Sequence, residues 1–271
     1  MSALDLTKLG ALAAAAEDLT VNKVYERELP KAGVAFFVLK DYIELGRHAS
    51  TNPSHKPSHK AVLIFELNHP KHMVDTDKGK EPQQFMLRVG KGSTAKSGYR
   101  KLFAAMNAAY DNQFNHFIQM IGKPFLGELF HNEVGEGDKK QTYVNADLNG
   151  AWSFKAPYQV DQITEARTLL PIDPLKGTPR VFMWEPVGID DDTLKAMWDS
   201  IYIEGTRDVE DKATKEVKQV SKNWIQEQIM KNLEWEGSAT QALTQEFVEL
   251  TAPSDVLPAS TIDDLPPSLD D

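Results

Sequence analysis

The chain has 271 residues and a mass of 30.3 kDa, and 41% of the residues are hydrophobic, which is enough for one large folded domain or two small ones. No apolar run approaches the roughly 20 residues of a membrane helix, and only Lys8 precedes the Ala-rich N-terminal stretch, so we expect a cytoplasmic protein rather than a membrane or secreted one. The absence of cysteine excludes disulfides, thiolate zinc sites, iron-sulfur clusters and cysteine nucleophiles.

The formal net charge of -10 is distributed unevenly along the chain. Residues 1–160 carry 20 Lys and Arg against 17 Asp and Glu, together with all seven histidines, whereas residues 161–271 carry 10 against 23. The segment from Arg88 to Tyr110 contains five basic residues and no acidic one, while the forty residues after Lys231 contain nine acidic residues and no basic one. The sequence therefore predicts a weakly basic body with an acidic tail.

Residues 1–32 are predicted to form a helix or a loosely attached arm, and the predicted strands begin after them. Three strands follow at 34–46, 60–69 and 84–90, because these runs are rich in Val, Phe, Ile and Leu. Helical spacing then predicts a helix whose apolar face is Tyr99, Leu102, Phe103, Met106 and Tyr110, and a second helical stretch at 113–122. Two further strands are predicted at 125–134 and 141–152, joined by a Gly-rich turn.

Three strands, one helix and two strands are the element order of an OB-fold, a partly open five-stranded barrel that binds oligonucleotides and oligosaccharides. We therefore predict a mainly β fold with helical extensions, in which an OB-fold core spans 33–152. Residues 153–238 are interpreted as a C-terminal extension packed on that core, with a helix after Asp190 and an amphipathic helix that includes Trp224 and Ile229. Residues 239–271 are interpreted as a flexible acidic tail that ends in a Pro-rich segment.

Several short segments, in order, resemble the single-stranded DNA-binding proteins of tailed bacteriophages, which are built on one OB-fold with extensions. The similarity runs from about Gly33 to Ser238 and rests on "YIELGRH", "KAVLIFEL", "AKSGYRKLF", "IGKPFLGELFHNE", "TYVNADLNG" and "NWIQEQIMKNLEWEGS". It implies binding of single-stranded DNA during phage replication, recombination or repair, with the acidic tail recruiting partner proteins. Many of these proteins end in an aromatic residue, whereas this sequence ends in Leu269, Asp270 and Asp271, so a pocket for a terminal Phe would lack its anchor.

Candidate DNA-binding residues are basic side chains for phosphates and aromatic side chains for stacking on bases. Arg88 alternates with Leu87 and Val89 along the third predicted strand, so we expect it to point away from the core. The other basic candidates are Lys91, Lys96, Arg100, Lys101, Lys139 and Lys140. The aromatic candidates are Tyr143, Tyr42, Phe85 and Trp152, for each of which packing in the barrel interior is the competing interpretation.

Other motifs give no better prediction of function. The segment 90–97, "GKGSTAKS", resembles a phosphate-binding P-loop, but Ala95 stands where the motif requires its second glycine. His55 and His59, and His69 and His72, have spacings that could ligate zinc, yet no cysteine completes a site, so exposed histidines are expected. No nucleophile elbow or scaffolded carboxylate pair is present, and we expect a non-enzymatic protein without metal or cofactor.

Two alternatives to DNA binding remain open from the sequence. One is a P-loop-like NTPase that acts on nucleic acid, and the other is an OB-fold protein-interaction module that does not bind DNA. The acidic tail suggests a further hypothesis, in which it competes with DNA for the basic surface because both interactions use the same positive charges.

Overall fold

The structure, a computed structural model, describes residues 29–50, 54–76, 79–135, 140–210 and 217–244. Its centre is a curled, mainly antiparallel sheet that forms a half-barrel. The sheet contains seven strands: β1 (Gly33–His48), β2 (Ser58–Leu67), β3 (Met73–Thr76), β4 (Gly79–Gly90), β5 (Pro124–Val134), β6 (Gln141–Asn145) and β11 (Val181–Phe182). Six of them form the path β3-β4-β2-β1-β5-β6, and β11 joins β1 in parallel.

Strand β1 organises the sheet because it is long and bent. It pairs with β2 along most of its length, with β5 through its first half and with β11 at Tyr42 and Ile43. The register against β2 shifts twice, at Lys40 and at Leu45. Such β-bulges increase local twist and bend a strand, so the two halves of β1 serve differently oriented partners.

The first core fills the concave side of the curled sheet. Alternate residues of β1, β2 and β4 point into it, and Phe37 makes edge contacts with the rings of Phe65, Phe85 and Phe154 at 5.1–5.8 Å. Helix α1 (Gly98–Ala108) and a 3-10 turn at Phe117–Met120 contribute the rest of its apolar side chains. Gly127 of β5 is glycine for a packing reason, since a Cβ there would lie 2.7 Å from the Phe37 ring.

The second core lies on the opposite face of the sheet and is covered by the C-terminal half of the chain. Ile43, Val62 and Ile64 of the sheet pack there against α2 (Asp191–Ser200) and α3 (Trp224–Met230). Other elements are the hairpins β7 (Asp147–Leu148) with β8 (Ala151–Trp152), β9 (Tyr158–Val160) with β10 (Arg167–Leu169) and β12 (Thr206–Glu210) with β13 (Val217–Ser221), and a 3-10 turn at Pro70–His72. Residues 239–244, the described start of the predicted flexible tail, are instead helical, and Thr240 among them is buried.

The predicted elements and the structure differ in three places. The third predicted strand is longer, because β3 and the start of β4 form a hairpin in a segment interpreted as loop. The predicted strand 141–152 is divided by a turn at Asn149 and Gly150, both with positive φ. The helical stretch predicted at 113–122 contains only the short 3-10 turn, which the side chains of His116 and Gln119 cap.

Residues 1–28 and 245–271 lie outside the described residues, so the predictions for the N-terminal arm and for most of the acidic tail concern segments that the structure does not describe. Within the described ranges, every helix is too short or too polar to cross a lipid bilayer.

Candidate functional site

Two cationic side chains and a histidine meet on the face of the sheet opposite the first core. Arg88 of β4 lies directly across from Val62 of β2, while its neighbours Leu87 and Val89 point into the first core. Lys60 and His48 lie close to Arg88, since the charge of Arg88 contributes to the pKa shift of each. We call Arg88, Lys60 and His48 the cationic cluster.

The cationic cluster is held in a partly dehydrated environment. Burial lowers the pKa of Arg88, and its Nε is buried without a hydrogen-bond partner among the described residues. Burial, and then the positive charge of Arg88, lower the pKa of Lys60, which is only 5% exposed. Burial also lowers the pKa of His48, whose charged neighbours are Arg88, Lys60 and His59. Like charges that have lost water attract an anion more strongly than solvated ones do, because the local dielectric is lower.

A cavity of about 360 Å³ lies beside the cationic cluster, between the β1–β2 loop and the β4–α1 loop. Three basic side chains line it, and its described lining residues include no carboxylate. Pairing connects it to the cluster, because Ser58 of the lining pairs with His48 and Gly90 pairs with Lys60. We call it the basic cavity; it is lined by Ser50, His55, Lys56, Ser58, Gly90, Gly92, Thr94, Lys96, Ser97 and Gly98.

The P-loop-like segment forms a compact turn on one wall of the basic cavity. The Ser97 hydroxyl donates to the carbonyls of Gly92 and Thr94 and accepts from the Arg100 amide, so it caps α1. The strand before it, β4, is antiparallel to both β2 and β3, whereas a P-loop belongs to a parallel β-α-β unit. The segment is therefore not set in the framework of a P-loop.

The predicted basic residues divide into two groups. Lys96 lines the basic cavity, and Arg100 and Lys101 are exposed on the first turn of α1, directly after it. Lys91 instead extends to Glu44, whose buried carboxylate lies 2.6 Å from the Lys91 Nζ, so its charge is paired with a carboxylate of the protein itself.

Two of the predicted stacking residues are buried, and the structure corrects those predictions. The ring of Tyr42 is 0% exposed, and its hydroxyl donates to Glu44 and lies 2.7 Å from the hydroxyl of Tyr99. Burial raises the pKa of Tyr42, so this hydroxyl stays protonated. Phe85 is 3% exposed and packs in the first core. Both point to the concave side of the sheet and are unavailable to a base in this structure.

The predicted residues near β6 do not line the basic cavity. Lys140 forms an ion pair with Glu133 at 2.5 Å, and Tyr143 donates to the side chain of Gln141 on its own strand. Trp152 is half-buried, with its ring 6.3 Å from that of Phe154. Lys139 lies outside the described residues.

Sequence reasoning missed four members of the site: His48 and Lys60 in strands, and His55 and Lys56 in the β1–β2 loop. A signal for two of them was present, because "SHKPSHK" places Lys56 and Lys60 in a basic segment directly before a hydrophobic strand. His48 could not be identified, since its position beside Arg88 depends on two β-bulges in β1.

The histidine pairs are not arranged as a metal site. His69 and His72 have ring centroids 5.9 Å apart, but no group of three potential metal ligands occurs among the residues that the structure describes. The expectation that these histidines are exposed is wrong for His72, which is 0% exposed and whose Nε2 donates a hydrogen bond to the carbonyl of Lys31 at 2.9 Å. Burial lowers the pKa of both His69 and His72.

Comparison with known proteins finds no relative: no protein-family model matches the sequence, and no curated protein or solved structure matches it significantly.

Proposed function

We propose that this protein binds single-stranded DNA without strong sequence preference and has no catalytic activity. The observation that carries the proposal is the cationic cluster of Arg88, Lys60 and His48, which continues into the basic cavity. Single strands are bound by positively charged grooves that follow the phosphates, together with aromatic faces for the bases. Phosphate would compensate the partly dehydrated charge of Arg88, whose Nε has no hydrogen-bond partner among the described residues.

The strand order supports an OB-fold as the framework of this site. In an OB-fold the first strand pairs with both the second and the fourth, and the helix follows the third. Here β1 lies between β2 and β5, and α1 follows β4, which makes β4 the third strand of the proposed barrel. Lys60 and Arg88 of the cationic cluster then lie on strands 2 and 3, His48 lies at the end of strand 1, and the basic cavity lies at the loop between strands 1 and 2. The face of strands 2 and 3 and that loop are regions where OB-folds bind oligonucleotides.

The biological setting follows from the resemblance described above. We propose a role in phage DNA replication, recombination or repair in the host cytoplasm, with the acidic tail recruiting partner proteins. Binding would protect the strand and remove its secondary structure by favouring the unpaired state, which requires no hydrolysis.

The test is a titration of the full chain with oligo-dT at several salt concentrations, followed by intrinsic fluorescence. We expect affinity to fall as salt rises, since bound phosphates release counterions. The double variant Lys56→Glu/Lys96→Glu should weaken binding by more than about tenfold at low salt and flatten the salt slope by about 0.7 for each lost phosphate contact. Neither lysine is buried, so the fold should be preserved.

The control is Arg207→Glu, which makes the same change of charge as either single substitution, but on the separate hairpin β12–β13. It should bind like the unmodified chain. If the unmodified chain binds no oligonucleotide at low salt, the proposal fails and a protein-interaction module becomes the better interpretation. ATP hydrolysis that is lost in Lys96→Glu would instead support the NTPase.

A further inference from the structure

A second and larger cavity, of about 660 Å³, opens at the other end of α1. Its walls come from the last turn of the helix, from β5 and from the hairpin β9–β10. Two tyrosines and two cations face it, and none of these four residues contributes to the basic cavity. We call it the aromatic cavity; it is lined by Ala108, Ala109, Tyr110, Asp111, Gln113, Leu126, Lys155, Ala156, Tyr158, Val160 and Arg167.

The two tyrosines differ in how firmly they are held. The hydroxyl of Tyr110 donates to the carbonyl of Pro124 at 2.6 Å, and its ring meets that of Phe125 edge-on at 5.4 Å, so Tyr110 is a fixed wall. Tyr158 lies on β9 and is 37% exposed. An exposed aromatic ring at the edge of a cavity offers a flat surface on which a planar group can stack.

The cations of the aromatic cavity are available to an anion. Lys155 and Arg167 are exposed, and neither forms an ion pair with another residue in the described part of the chain. The backbone of Lys155 is fixed by two hydrogen bonds to Leu126, at 2.8 and 3.1 Å, so its side chain projects from a defined position. Asp111 is the one carboxylate among the described lining residues. Aromatic faces beside such cations fit a planar base joined to a phosphate.

Helix α1 connects the two cavities along its exposed side. Ser97 and Gly98 line the basic cavity, and Ala108 and Ala109 line the aromatic cavity. The 11 residues of the helix span about 16 Å at 1.5 Å per residue. The helix contains no acidic residue, and its exposed residues are Arg100, Lys101, Ala104 and Ala108.

We infer that the aromatic cavity binds a nucleotide of the same single strand that occupies the basic cavity, with its base on Tyr158 and its phosphate at Lys155 and Arg167. The strand then follows the acid-free surface of α1 between the two cavities. This inference rests on the proposed function and adds a second nucleotide site, away from the face of β2 and β4, that lengthens the bound segment.

The experiment compares oligo-dT of two lengths on the full chain. A strand of about 4 nucleotides can fill the basic cavity alone, and one of about 16 nucleotides can reach both, since OB-folds bind 4–16 nucleotides. Tyr158→Ala should weaken binding of the long strand about tenfold and leave the short strand unchanged. Lys155→Glu should act in the same length-dependent way, and Tyr158→Phe, which keeps the ring, should bind both strands like the unmodified chain.

The matched control is Ile163→Ala, in the turn of the same hairpin. Ile163 is 93% exposed and does not line the aromatic cavity, so this variant should bind normally. Thermal unfolding of each variant establishes that the hairpin substitutions leave the fold intact.

Three results would overturn the inference, and each is distinct from failure of the proposed function. Equal affinity of Tyr158→Ala and the unmodified chain for the long strand would show that no base stacks there. Equal weakening for both lengths would place Tyr158 at the first site. Saturable binding of free dTMP that depends on Tyr158, without an effect on the long strand, would assign the cavity to a free nucleotide. Failure of the unmodified chain to bind either strand would refute the proposed function itself.

Discussion

The Nζ of Lys91 donates a hydrogen bond of 2.6 Å to the Oε1 of Glu44, a carboxylate whose side chain is 5% exposed. The hydroxyl of Tyr42 donates to the same oxygen, and the Trp184 amide donates to the other carboxylate oxygen at 3.1 Å. Lys91 is therefore the exposed member of a polar network around the buried Glu44 carboxylate, which joins the first core to the C-terminal segment. Its charge balances that of Glu44.

Replacing Lys91 with Met should lower the free energy of unfolding by about 1–3 kcal/mol, because a buried carboxylate loses its cation and one hydrogen bond. Oligo-dT affinity should change by less than about twofold, since little phosphate-binding charge is lost. Urea denaturation and fluorescence titration measure the two effects. Lys91→Met/Glu44→Gln removes both charges and should recover part of the lost stability. A tenfold loss of affinity in Lys91→Met would instead show that Lys91 contacts DNA.

Replacing Arg88 should lower oligo-dT affinity without lowering stability, which is the reverse of the effect expected for Lys91. Arg88→Met keeps an apolar stem of similar length but removes a dehydrated cation whose Nε has no partner within the described residues. We expect an unchanged or slightly higher free energy of unfolding and an oligo-dT affinity at least about tenfold lower, because burying an unpaired charge opposes folding. Arg88→Lys retains the charge and should bind more tightly than Arg88→Met. Strong destabilisation in Arg88→Met would show that Arg88 stabilises the folded state.

Acid should destabilise the protein through its buried histidines. The Nδ1 of His72 is buried without a partner among the described residues, so protonation there would place an unsolvated charge in the interior. Burial accordingly lowers the pKa of His72 from its ordinary value of 6.5. Between that lowered value and 6.5 the unfolded chain binds more protons than the folded one, so the free energy of unfolding falls as the pH drops through this window.

Urea denaturation between pH 7.5 and pH 5 measures this dependence. His72→Gln should flatten it, whereas substitution of His131, which is exposed and bonded to the carbonyl of Pro30, is the control. A pH slope that His72→Gln leaves unchanged would show that other groups are responsible.

Removing the end of the acidic tail should tighten DNA binding. Residues 252–271 carry five acidic residues and no basic one, so they can compete with phosphates for the cationic cluster and the basic cavity. Deletion of residues 252–271 should increase oligo-dT affinity most strongly at low salt, with the difference disappearing as salt rises. A chain of full length with the five acids replaced by Asn or Gln separates charge from length. Equal affinity of the deleted and complete chains at low salt would exclude competition.

The alternation of apolar and polar residues determined several features by itself. Together with runs rich in Val, Phe, Ile and Leu, it identified β1, β2, the second half of β4 and β5, the apolar face of α1 and the orientation of Arg88 opposite to Leu87 and Val89, but not β3 or β11. These features are local, because a strand turns every second side chain to the same face and a helix does so every three or four residues.

Burial of the aromatic candidates depended on tertiary structure. Tyr42 and Trp152 both lie in runs of alternating residues, and only the curl of the sheet decides which ring is covered. The bulges at Lys40 and Leu45 change which face of the sheet the following side chains of β1 point to, so simple alternation does not describe the second half of this strand. A bulge arises from pairing with a partner strand that is distant in sequence, and its position is not encoded by periodicity.

The charges of this protein could be counted from its sequence, and their sign asymmetry predicted a basic body with an acidic tail. Their partners were decided by the fold: Lys91 neutralises Glu44, Lys140 pairs with Glu133, and Arg88 lies beside Lys60 and His48. The physical reason is that composition determines how much charge a chain carries, whereas an electrostatic interaction depends on distance and burial, which exist only after β1, β2 and β4 have paired.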